Sequence, residues 1–299
     1  MIKMSVFCYA GNKFKVRRTY KMQTNLSGIL SEAYNNKYAI GSFNAYTFET
    51  FKGIIDAGIE TKTPIIVAFG AKYLENMSLD SASAIVKSLA QDISIPVCLH
   101  LDHCSNMDTI FSAIKAGFGS VMYDGSSLPF EKNLQNTKLV CEVAHACGVS
   151  VEAELGSLAA GEQSHEGSET DVEVFTDPGA AKQFVYETKV DALAVSIGTV
   201  HGLYKGKPNI RIDILKKINE QLSIPLVLHG GSGIPKEDIL NCIANGISKI
   251  NVNTEISTFT VEESTKLLSQ KQPHLSVLAI NQMGYVKEIV KKYISFFGR

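Results

Sequence analysis

Short β-rich segments alternate with segments of helical periodicity, and this order predicts an α/β chain closed into a single-domain (β/α)8 (TIM) barrel. The predicted strands are nearly continuous apolar runs, as expected of parallel strands that are covered on both faces. Eight such units favour a closed barrel over an open sheet. No Gly-x-Gly-x-x-Gly follows the first strand, which argues against a dinucleotide-binding sheet. The predicted strands are Tyr38–Phe43, Pro64–Phe69, Pro96–Asp102, Ser120–Asp124, Val149–Leu155, Asp191–Gly198, Pro225–Gly230 and Ile247–Thr254.

Helical periodicity fills the intervals between these strands. In the first interval, Phe51, Ile54, Ile55 and Ile59 follow the three- and four-residue spacing of one helix face. The clearest helical segments are Thr50–Thr61, Leu79–Leu89, Ser105–Ala116 and Glu131–Cys147. A single glycine precedes several strands (Gly117, Gly148 and Gly246), which is typical of a helix C-terminus that leads into a strand.

Composition excludes several classes of protein. The chain has 299 residues, 45% of them hydrophobic, enough for one large core. A net charge of -1 argues against a nucleic-acid partner, and no apolar run approaches the roughly 20 residues of a membrane span. The six cysteines form no Cys-x-x-Cys pair, which predicts reduced thiols in a cytoplasmic protein rather than a zinc–thiolate site.

Residues 1–22 differ from the rest of the chain. They hold six basic residues and no acidic one, whereas the remainder holds 23 basic and 30 acidic residues. The apolar stretch Val6–Ala10 is too short for a secretory signal. A disordered basic arm, an organelle-type leader and upstream sequence from a wrong start codon remain open. We favour the last because Met22 directly precedes a plausible first helix, and we expect the barrel to occupy 23–299.

Polar side chains gather where the predicted strands end. In a barrel the carboxyl ends of the strands form one face, which carries catalysis. Three histidines, His103, His201 and His229, follow three separate strands there. Imidazole is the commonest zinc ligand, and three protein ligands with an open fourth position describe a catalytic metal site. Hydrogen-bonded histidines of the barrel rim are the alternative, which is less favoured for three residues on one face. The other polar residues at these ends are Asp102, Asp124, Glu152 and Glu154.

Two loops have the composition of a phosphate site. The turn Gly230-Gly231-Ser232-Gly233 follows strand seven, and Asn251–Thr254 ends strand eight. These are the loops of a barrel that commonly direct backbone N–H groups at phosphate oxygens. An ordinary glycine-rich turn is the alternative. His100, on the same face of strand three as Asp102, is interpreted as a core histidine rather than a ligand.

These motifs, in this order from about Met22 to Thr254, resemble those of the class II fructose/tagatose-bisphosphate aldolases. The resemblance implies a homodimer or homotetramer that binds zinc through His103, His201 and His229 and uses Asp102 as acid/base. Glu154 and Asp124 match positions linked to a second or alternative cation site. Residues matching those that hold dihydroxyacetone phosphate are Gly202, Gly230, Gly231, Ser232, Asn251, Val252, Asn253 and Thr254.

A second acid/base is expected in the polar stretch Ala160–Thr170, which has the composition of a mobile lid. Cleavage of a ketose phosphate leaves an enediolate that must be protonated. Glu162 matches the family's loop glutamate, although Ala159-Ala160 stands where the family usually has two glycines. Glu162 is therefore the second candidate catalytic residue.

The distal half of the substrate site departs from the family. Many members carry an Asp-Pro-Arg segment after strand eight whose arginine binds the second phosphate in a neighbouring subunit. Here Gln272–Ser276 occupies that stretch, and no arginine occurs between Arg211 and Arg299. A family serine is also missing near Lys72, whose charge is a candidate replacement. Lysine is not an equal substitute for a bidentate arginine.

Several functions remain open. Fructose 1,6-bisphosphate is the leading substrate, with glyceraldehyde 3-phosphate as the aldehyde product and a role in glycolysis. Tagatose 1,6-bisphosphate or another ketose 1-phosphate is the alternative. A catalytically silent sugar-phosphate-binding relative is a further one. A metal-dependent hydrolase is disfavoured because strand one, Tyr38–Phe43, lacks a His-x-His pair.

Overall fold

The computed structural model describes residues 24–164 and 173–298 and confirms the (β/α)8 barrel. Its eight barrel strands are β1 (Ile40–Asn44), β2 (Ile65–Gly70), β3 (Val97–Cys104), β4 (Ser120–Tyr123), β5 (Ser150–Leu155), β7 (Ala192–Val195), β9 (Leu226–Leu228) and β10 (Ile247–Val252). They close in the order β1-β10-β9-β7-β5-β4-β3-β2, and all neighbours are parallel.

The predicted strands are all confirmed, but several end earlier than expected. β7 ends at Val195 instead of Gly198, and β9 ends at Leu228 instead of Gly230. In both places the chain leaves the sheet to form a loop of the site. Two short strands outside the barrel, β6 (Ala159–Ala160) and β8 (Val200–His201), form a separate parallel pair that the sequence did not predict.

Helices cover the outside of the barrel. They are α1 (Leu26–Asn36), α2 (Phe48–Thr61), α3 (Leu79–Leu89), α4 (Met107–Ala116), α5 (Phe130–Ala146), α6 (Pro178–Thr188), α7 (Ile212–Gln221), α8 (Lys236–Ala244), α9 (Thr254–Gln270) and α10 (Leu275–Ile294), with a 3-10 helix at Ala71–Glu75. Their ends follow from local chemistry. Thr47 and Thr50 form a reciprocal capping box that starts α2, and Gly117, with φ +95°, ends α4 in a left-handed conformation.

Two apolar clusters hold the barrel together. The larger lies between the strands and the surrounding helices. The smaller joins α1 to inward-facing apolar residues of the strands: Leu26 and Leu30 pack with Ile40, Ile66 and Val227. Helix α1 therefore fills one end of the barrel interior, and the buried polar residues occupy the other end.

Some expectations lie outside the described residues. The extension at 1–22, its suggested start at Met22, and positions 165–170 of the expected lid belong to this group and stay predictions. Within the described ranges, no helix combines the length and apolarity needed to cross a membrane. The cysteines described there are all free thiols.

Candidate functional site

A β-bulge at the end of β3 places two consecutive polar residues in the barrel mouth. Residues 100 and 101 pair with 120 and 121 of β4, but Cys104 pairs with Tyr123, so β3 carries one extra residue. His103 has φ +40°, a backbone conformation that is uncommon outside glycine. Consecutive residues of a regular strand point to opposite faces. The bulge therefore allows Asp102 and His103 both to face the site.

His103, His201 and His229 converge as the sequence predicted. The His103 ring centroid lies 4.9 Å from that of His201 and 4.6 Å from that of His229. One nitrogen of each ring lies within 4.8 Å of the others. Nε2 of His103, Nε2 of His201 and Nδ1 of His229 are buried without a hydrogen-bond partner among the described residues. Buried polar atoms are normally paired, and three free imidazole nitrogens fit the donor set of zinc.

Two acidic residues complete this cluster. Asp124 Oδ2 accepts a hydrogen bond from His103 Nδ1 at 2.8 Å, the arrangement that orients a metal-binding imidazole. Glu154 Oε2 lies 3.3 Å from His229 Nδ1 and 4.0 Å from His103 Nδ1, without a hydrogen bond to any described residue. His103, Asp124 and Glu154 thus form a second group that could hold a cation.

Burial and the nearby carboxylates act in opposite directions on the pKa values of the three histidines, and the balance differs among them. Burial lowers the pKa of His201 well below its ordinary value, so this ring is neutral and able to bind a metal. Burial acts against the charge of His229 too, but the hydrogen bond to Glu152 and the close Glu154 carboxylate outweigh it and raise the pKa to about 9. For His103 the negative charges of Asp102 and Asp124 also outweigh burial and raise the pKa. The surroundings therefore favour positive charge in the middle of the cluster.

Asp102 is a buried, ionised carboxylate beside the three histidines. Burial by itself would raise its pKa, but the nearby charges of His103 and Lys249 lower it below its ordinary value. Asn44 Nδ2 donates to Asp102 Oδ2 at 2.9 Å, and Asn251 Nδ2 donates to Oδ1 at 3.1 Å. Both oxygens are thereby fixed in a site where the group can accept a proton.

Three buried residues to which the sequence analysis gave no role support this arrangement. Asn44 binds Asp102, Glu152 Oε1 accepts a hydrogen bond from His229 Nε2 at 2.9 Å, and Lys249 binds Glu152. A lysine inside an apolar strand was the signal that could have revealed the network. His100 donates to or accepts from Ser120 Oγ at 3.0 Å and is fully buried, consistent with its interpretation as a core histidine.

The glycine-rich turn after β9 is fixed by β10 and α9. Gly230, with φ +69°, lies so close to Val200 that an added Cβ would sit 2.1 Å from the Val200 carbonyl oxygen. Gly231 N–H donates to the Asn251 carbonyl at 2.9 Å and Ser232 Oγ accepts from Glu255 N–H at 3.2 Å. The turn therefore meets the N-terminus of α9, which begins at Thr254. A helix N-terminus beside a glycine turn has the chemistry of an anion site.

The comparisons with known proteins agree with this geometry. The family described as "Fructose-bisphosphate aldolase class-II" matches residues 24–299. The chain belongs to the class II fructose-bisphosphate aldolase family. This confirms the resemblance of the motifs, and members of the family act on sugar phosphates.

Relatives that are named for different activities have similar sequence identity to this class II aldolase. It is 39% identical over 275 residues to the sulfofructosephosphate aldolase of Alkalicoccus urumqiensis, covering 90% of this chain and 94% of the relative. It is 41% identical over 256 residues to the fructose-bisphosphate aldolase of Geobacillus stearothermophilus, covering 84% and 87%. The crystal structure of the YdjI aldolase of Escherichia coli K12 superposes with a TM-score of 0.81 at 35% identity, covering 92% and 97%.

The loop after β5 brings Glu162 beside the His201 loop of the aldolase. Gly161 N–H donates to the His201 carbonyl at 2.6 Å, and Glu162 and Leu203 exchange backbone hydrogen bonds of 2.9 and 2.7 Å. Gly202 lies between them with φ +112°, and an added Cβ there would meet the Glu162 carbonyl at 2.6 Å. The Glu162 side chain is exposed. Its loop is thus fastened to the site while its carboxylate faces solvent.

A cleft of about 800 Å3 opens between the loops that follow β1 and β2 and the start of α9. Gly70 pairs with Asp102 across β2 and β3, and Lys72 follows two residues later on the cleft wall. Tyr73 OH accepts a hydrogen bond from Asn253 Nδ2 at 2.9 Å, which joins the cleft to the end of β10. Tyr46, Lys72, Tyr73 and Asn76 line one side of this cleft, and we call that side the distal cleft.

Proposed function

We propose that this class II aldolase is a zinc enzyme that reversibly cleaves a ketose 1-phosphate to dihydroxyacetone phosphate and an aldehyde. Fructose 1,6-bisphosphate is the leading substrate, which gives glyceraldehyde 3-phosphate. The main support for this proposal is the ionised Asp102 carboxylate, which lies beside three histidines whose unpartnered nitrogens converge.

In this proposal His103, His201 and His229 hold the zinc ion, which supplies Lewis-acid stabilisation of negative charge on the substrate oxygens. Asp102 removes the proton of the C4 hydroxyl, which starts cleavage of the C3–C4 bond. Its two hydrogen bonds, from Asn44 and Asn251, hold the carboxylate in place while it accepts that proton. This division of work needs no lysine Schiff base.

We assign Glu154 and Asp124 to a second or alternative cation position. The support is the group that they form with His103, whose ligand atoms lie within 4.8 Å of one another. Asp124 also orients His103 through its 2.8 Å hydrogen bond. One carboxylate can therefore serve both positions.

The phosphate of dihydroxyacetone phosphate is assigned to the loops after β7 and β9 and to the end of β10. The N-terminal dipole of α9, a 17-residue helix, favours an anion at this point. The close backbone approaches at Gly202 and Gly230 leave no room for a side chain. The residues assigned to this role are Gly202, Gly230, Gly231, Ser232, Asn251, Val252, Asn253 and Thr254.

We assign Glu162 as the acid that protonates the enediolate. The support is its loop, which is fastened by backbone hydrogen bonds next to His201 and Gly202. Its exposed carboxylate can exchange protons with solvent between turnovers. Movement of the loop over the bound substrate would bring the carboxylate to the reacting carbon.

The distal cleft is assigned to the other half of the ketose. Gly70 pairs with Asp102, which acts at C4, and Lys72 follows Gly70 on this wall, so we place the carbons beyond C4 along it. Lys72 forms no salt bridge with the described residues and is available to an anionic substituent. A sulfonate-bearing ketose 1-phosphate is the second candidate, supported by the 39% identity to the Alkalicoccus urumqiensis enzyme and by the missing arginine.

The test is release of dihydroxyacetone phosphate from a panel of ketose 1-phosphates. The panel holds fructose 1,6-bisphosphate, tagatose 1,6-bisphosphate, 6-deoxy-6-sulfofructose 1-phosphate and fructose 1-phosphate. The first compound is expected to give the highest kcat/KM, and preference for the sulfonate would select the second candidate. Equal rates with fructose 1-phosphate would refute an anionic distal group. If none of the compounds is cleaved, the remaining hypothesis is a catalytically silent protein that binds a sugar phosphate.

We further propose that the enzyme is a cytoplasmic homodimer or homotetramer. Val261 of α9 and Leu275 and Ile280 of α10 are more than 60% exposed, an apolar surface suited to a second copy. Light scattering of the purified chain tests this, and a monomeric mass at micromolar concentration would refute it.

A further inference from the structure

A buried ion pair crosses the barrel below the candidate metal centre. Lys249 of β10 and Glu152 of β5 are each 0% exposed, and Lys249 Nζ lies 3.0 and 2.8 Å from the two carboxylate oxygens. β10 and β5 are not neighbours in the barrel, since β9 and β7 lie between them. The pair therefore spans the interior between strands three positions apart in the barrel rather than two adjacent strands.

One side of the pair controls a candidate zinc ligand. Glu152 Oε1 accepts a hydrogen bond from His229 Nε2 at 2.9 Å. Since a carboxylate only accepts, Nε2 carries a proton in this hydrogen bond, so Nδ1 is the nitrogen left to bind a metal. Nδ1 is the nitrogen that faces the other two histidines without a hydrogen-bond partner among the described residues. Glu152 thus sets both the tautomer and the orientation of His229.

The other side of the pair controls the candidate base. Lys249 Nζ donates to Asn251 Oδ1 at 2.7 Å. An ammonium group can pair only with the oxygen of an amide, so the amide nitrogen of Asn251 must point the other way. That nitrogen donates to Asp102 Oδ1 at 3.1 Å. Without Lys249 the amide could turn over and present its oxygen to the Asp102 carboxylate.

We infer that Lys249 is a positioning residue that aligns the metal ligand His229 and the base Asp102 together, through Glu152 and Asn251. This inference rests on the proposed function of those two groups. The Lys249 ammonium donates to both Glu152 and Asn251, so one group fixes the positions of His229 and Asp102 relative to each other. Burial of an ion pair is costly and contributes little net stability, so a positioning role gives a physical reason for its presence here.

The test compares four variants with the wild-type protein. Lys249→Met removes the common donor. Glu152→Gln alters the branch to His229 and leaves the Lys249 charge unpaired. Asn251→Ala removes the branch to Asp102 together with one residue assigned to the substrate phosphate. The double variant Lys249→Met/Glu152→Gln leaves no unpaired buried charge and keeps an acceptor for His229. Lys138→Met, on the exposed face of α5, is the control. Zinc affinity is measured by chelator competition without substrate, beside kcat, KM and Tm.

Lys249→Met is expected to weaken zinc binding by about 10- to 100-fold, the usual effect of losing support for a metal ligand. Its kcat falls while KM changes less. Glu152→Gln weakens mainly zinc binding, whereas Asn251→Ala lowers kcat and leaves zinc affinity within about threefold, since it does not touch His229. The control is expected to match wild type in every measurement.

The double variant shows whether Lys249 positions the catalytic groups or only neutralises the buried charge of Glu152. Its Tm should recover toward wild type because no unpaired charge is buried, while kcat stays low because methionine cannot orient Asn251. Recovery of kcat together with Tm would overturn the inference, as would wild-type zinc affinity and kcat in Lys249→Met. If Lys249→Met does not fold, the double variant carries the test.

Failure of the proposed function would look different. In that case wild type binds zinc but cleaves no ketose phosphate, while Lys249→Met still weakens zinc binding and supports the branch to His229. If zinc affinity is the same in wild type and Lys249→Met, the branch to His229 is wrong even where wild type is active.

Discussion

The floor of the barrel mouth and the distal cleft differ in how firmly their polar groups are fixed. We define the floor as Asp102, Glu152, His229, Lys249 and Asn251, all buried on strands or at a strand end and joined by hydrogen bonds of 2.7–3.1 Å. The distal cleft lies on a loop and a 3-10 helix, and its Lys72 is exposed without a salt bridge to the described residues. Rigid support suits bond cleavage, whereas exposed loops suit substrate selection.

Metal removal should have the largest effect, because the zinc ion held by the three histidines would be the Lewis acid that stabilises negative charge on the substrate oxygens. Treatment with EDTA followed by desalting is expected to abolish release of dihydroxyacetone phosphate, and added zinc should restore it. Metal content is measured on the same samples. Full activity in metal-free protein would refute the proposed zinc-dependent cleavage.

Replacement of Asp102 by Asn should be next in size. The change keeps the volume of the side chain but removes the base, so kcat should fall roughly 10²- to 10⁴-fold. Hydrogen exchange at the carbon of dihydroxyacetone phosphate should continue, because that step does not involve the C4 hydroxyl. Zinc content serves as the control. Loss of both reactions with full zinc content would contradict the specific role of Asp102.

Replacement of Glu162 by Ala should slow hydrogen exchange at dihydroxyacetone phosphate, the step that the Asp102 variant retains. Exchange at the dihydroxyacetone phosphate carbon, followed by NMR in deuterated water, should fall by roughly 10²-fold or more. Binding of dihydroxyacetone phosphate should change little, because the Glu162 backbone rather than its side chain contacts the His201 loop. Glu220→Ala, an exposed glutamate on α7, is the matched control. An unchanged exchange rate would refute the role.

Replacement of Lys72 by Met should have the smallest and most selective effect. Loss of one charged contact is expected to raise KM for the bisphosphate about 10- to 100-fold. KM for fructose 1-phosphate, which lacks a distal anion, should stay unchanged, and so should zinc content. Lys138→Met on α5 is the control. Equal changes in KM for both substrates would show that Lys72 supports the fold rather than the distal anion.

The sequence predicted the barrel because its eight strands and several of its helices carry local signals. Thr47 and Thr50 begin α2, Gly117 ends α4, and the apolar runs of β2 and β10 are too continuous for one-sided strands. The residues of the three-histidine cluster were predictable for a similar reason. The carboxyl ends of all parallel strands meet on one face, so three separate positions along the chain imply one place in space.

The sequence by itself therefore determined the fold, the face that carries the site and the type of each polar group gathered there. Tertiary structure decided which groups touch. The β-bulge at β3 turned His103 to the same side as Asp102, against the alternation of a regular strand. The fold also carried Lys249 across the interior to Glu152, 97 residues away in sequence. Contacts of that kind depend on strand register and barrel closure, which no local pattern of residues encodes.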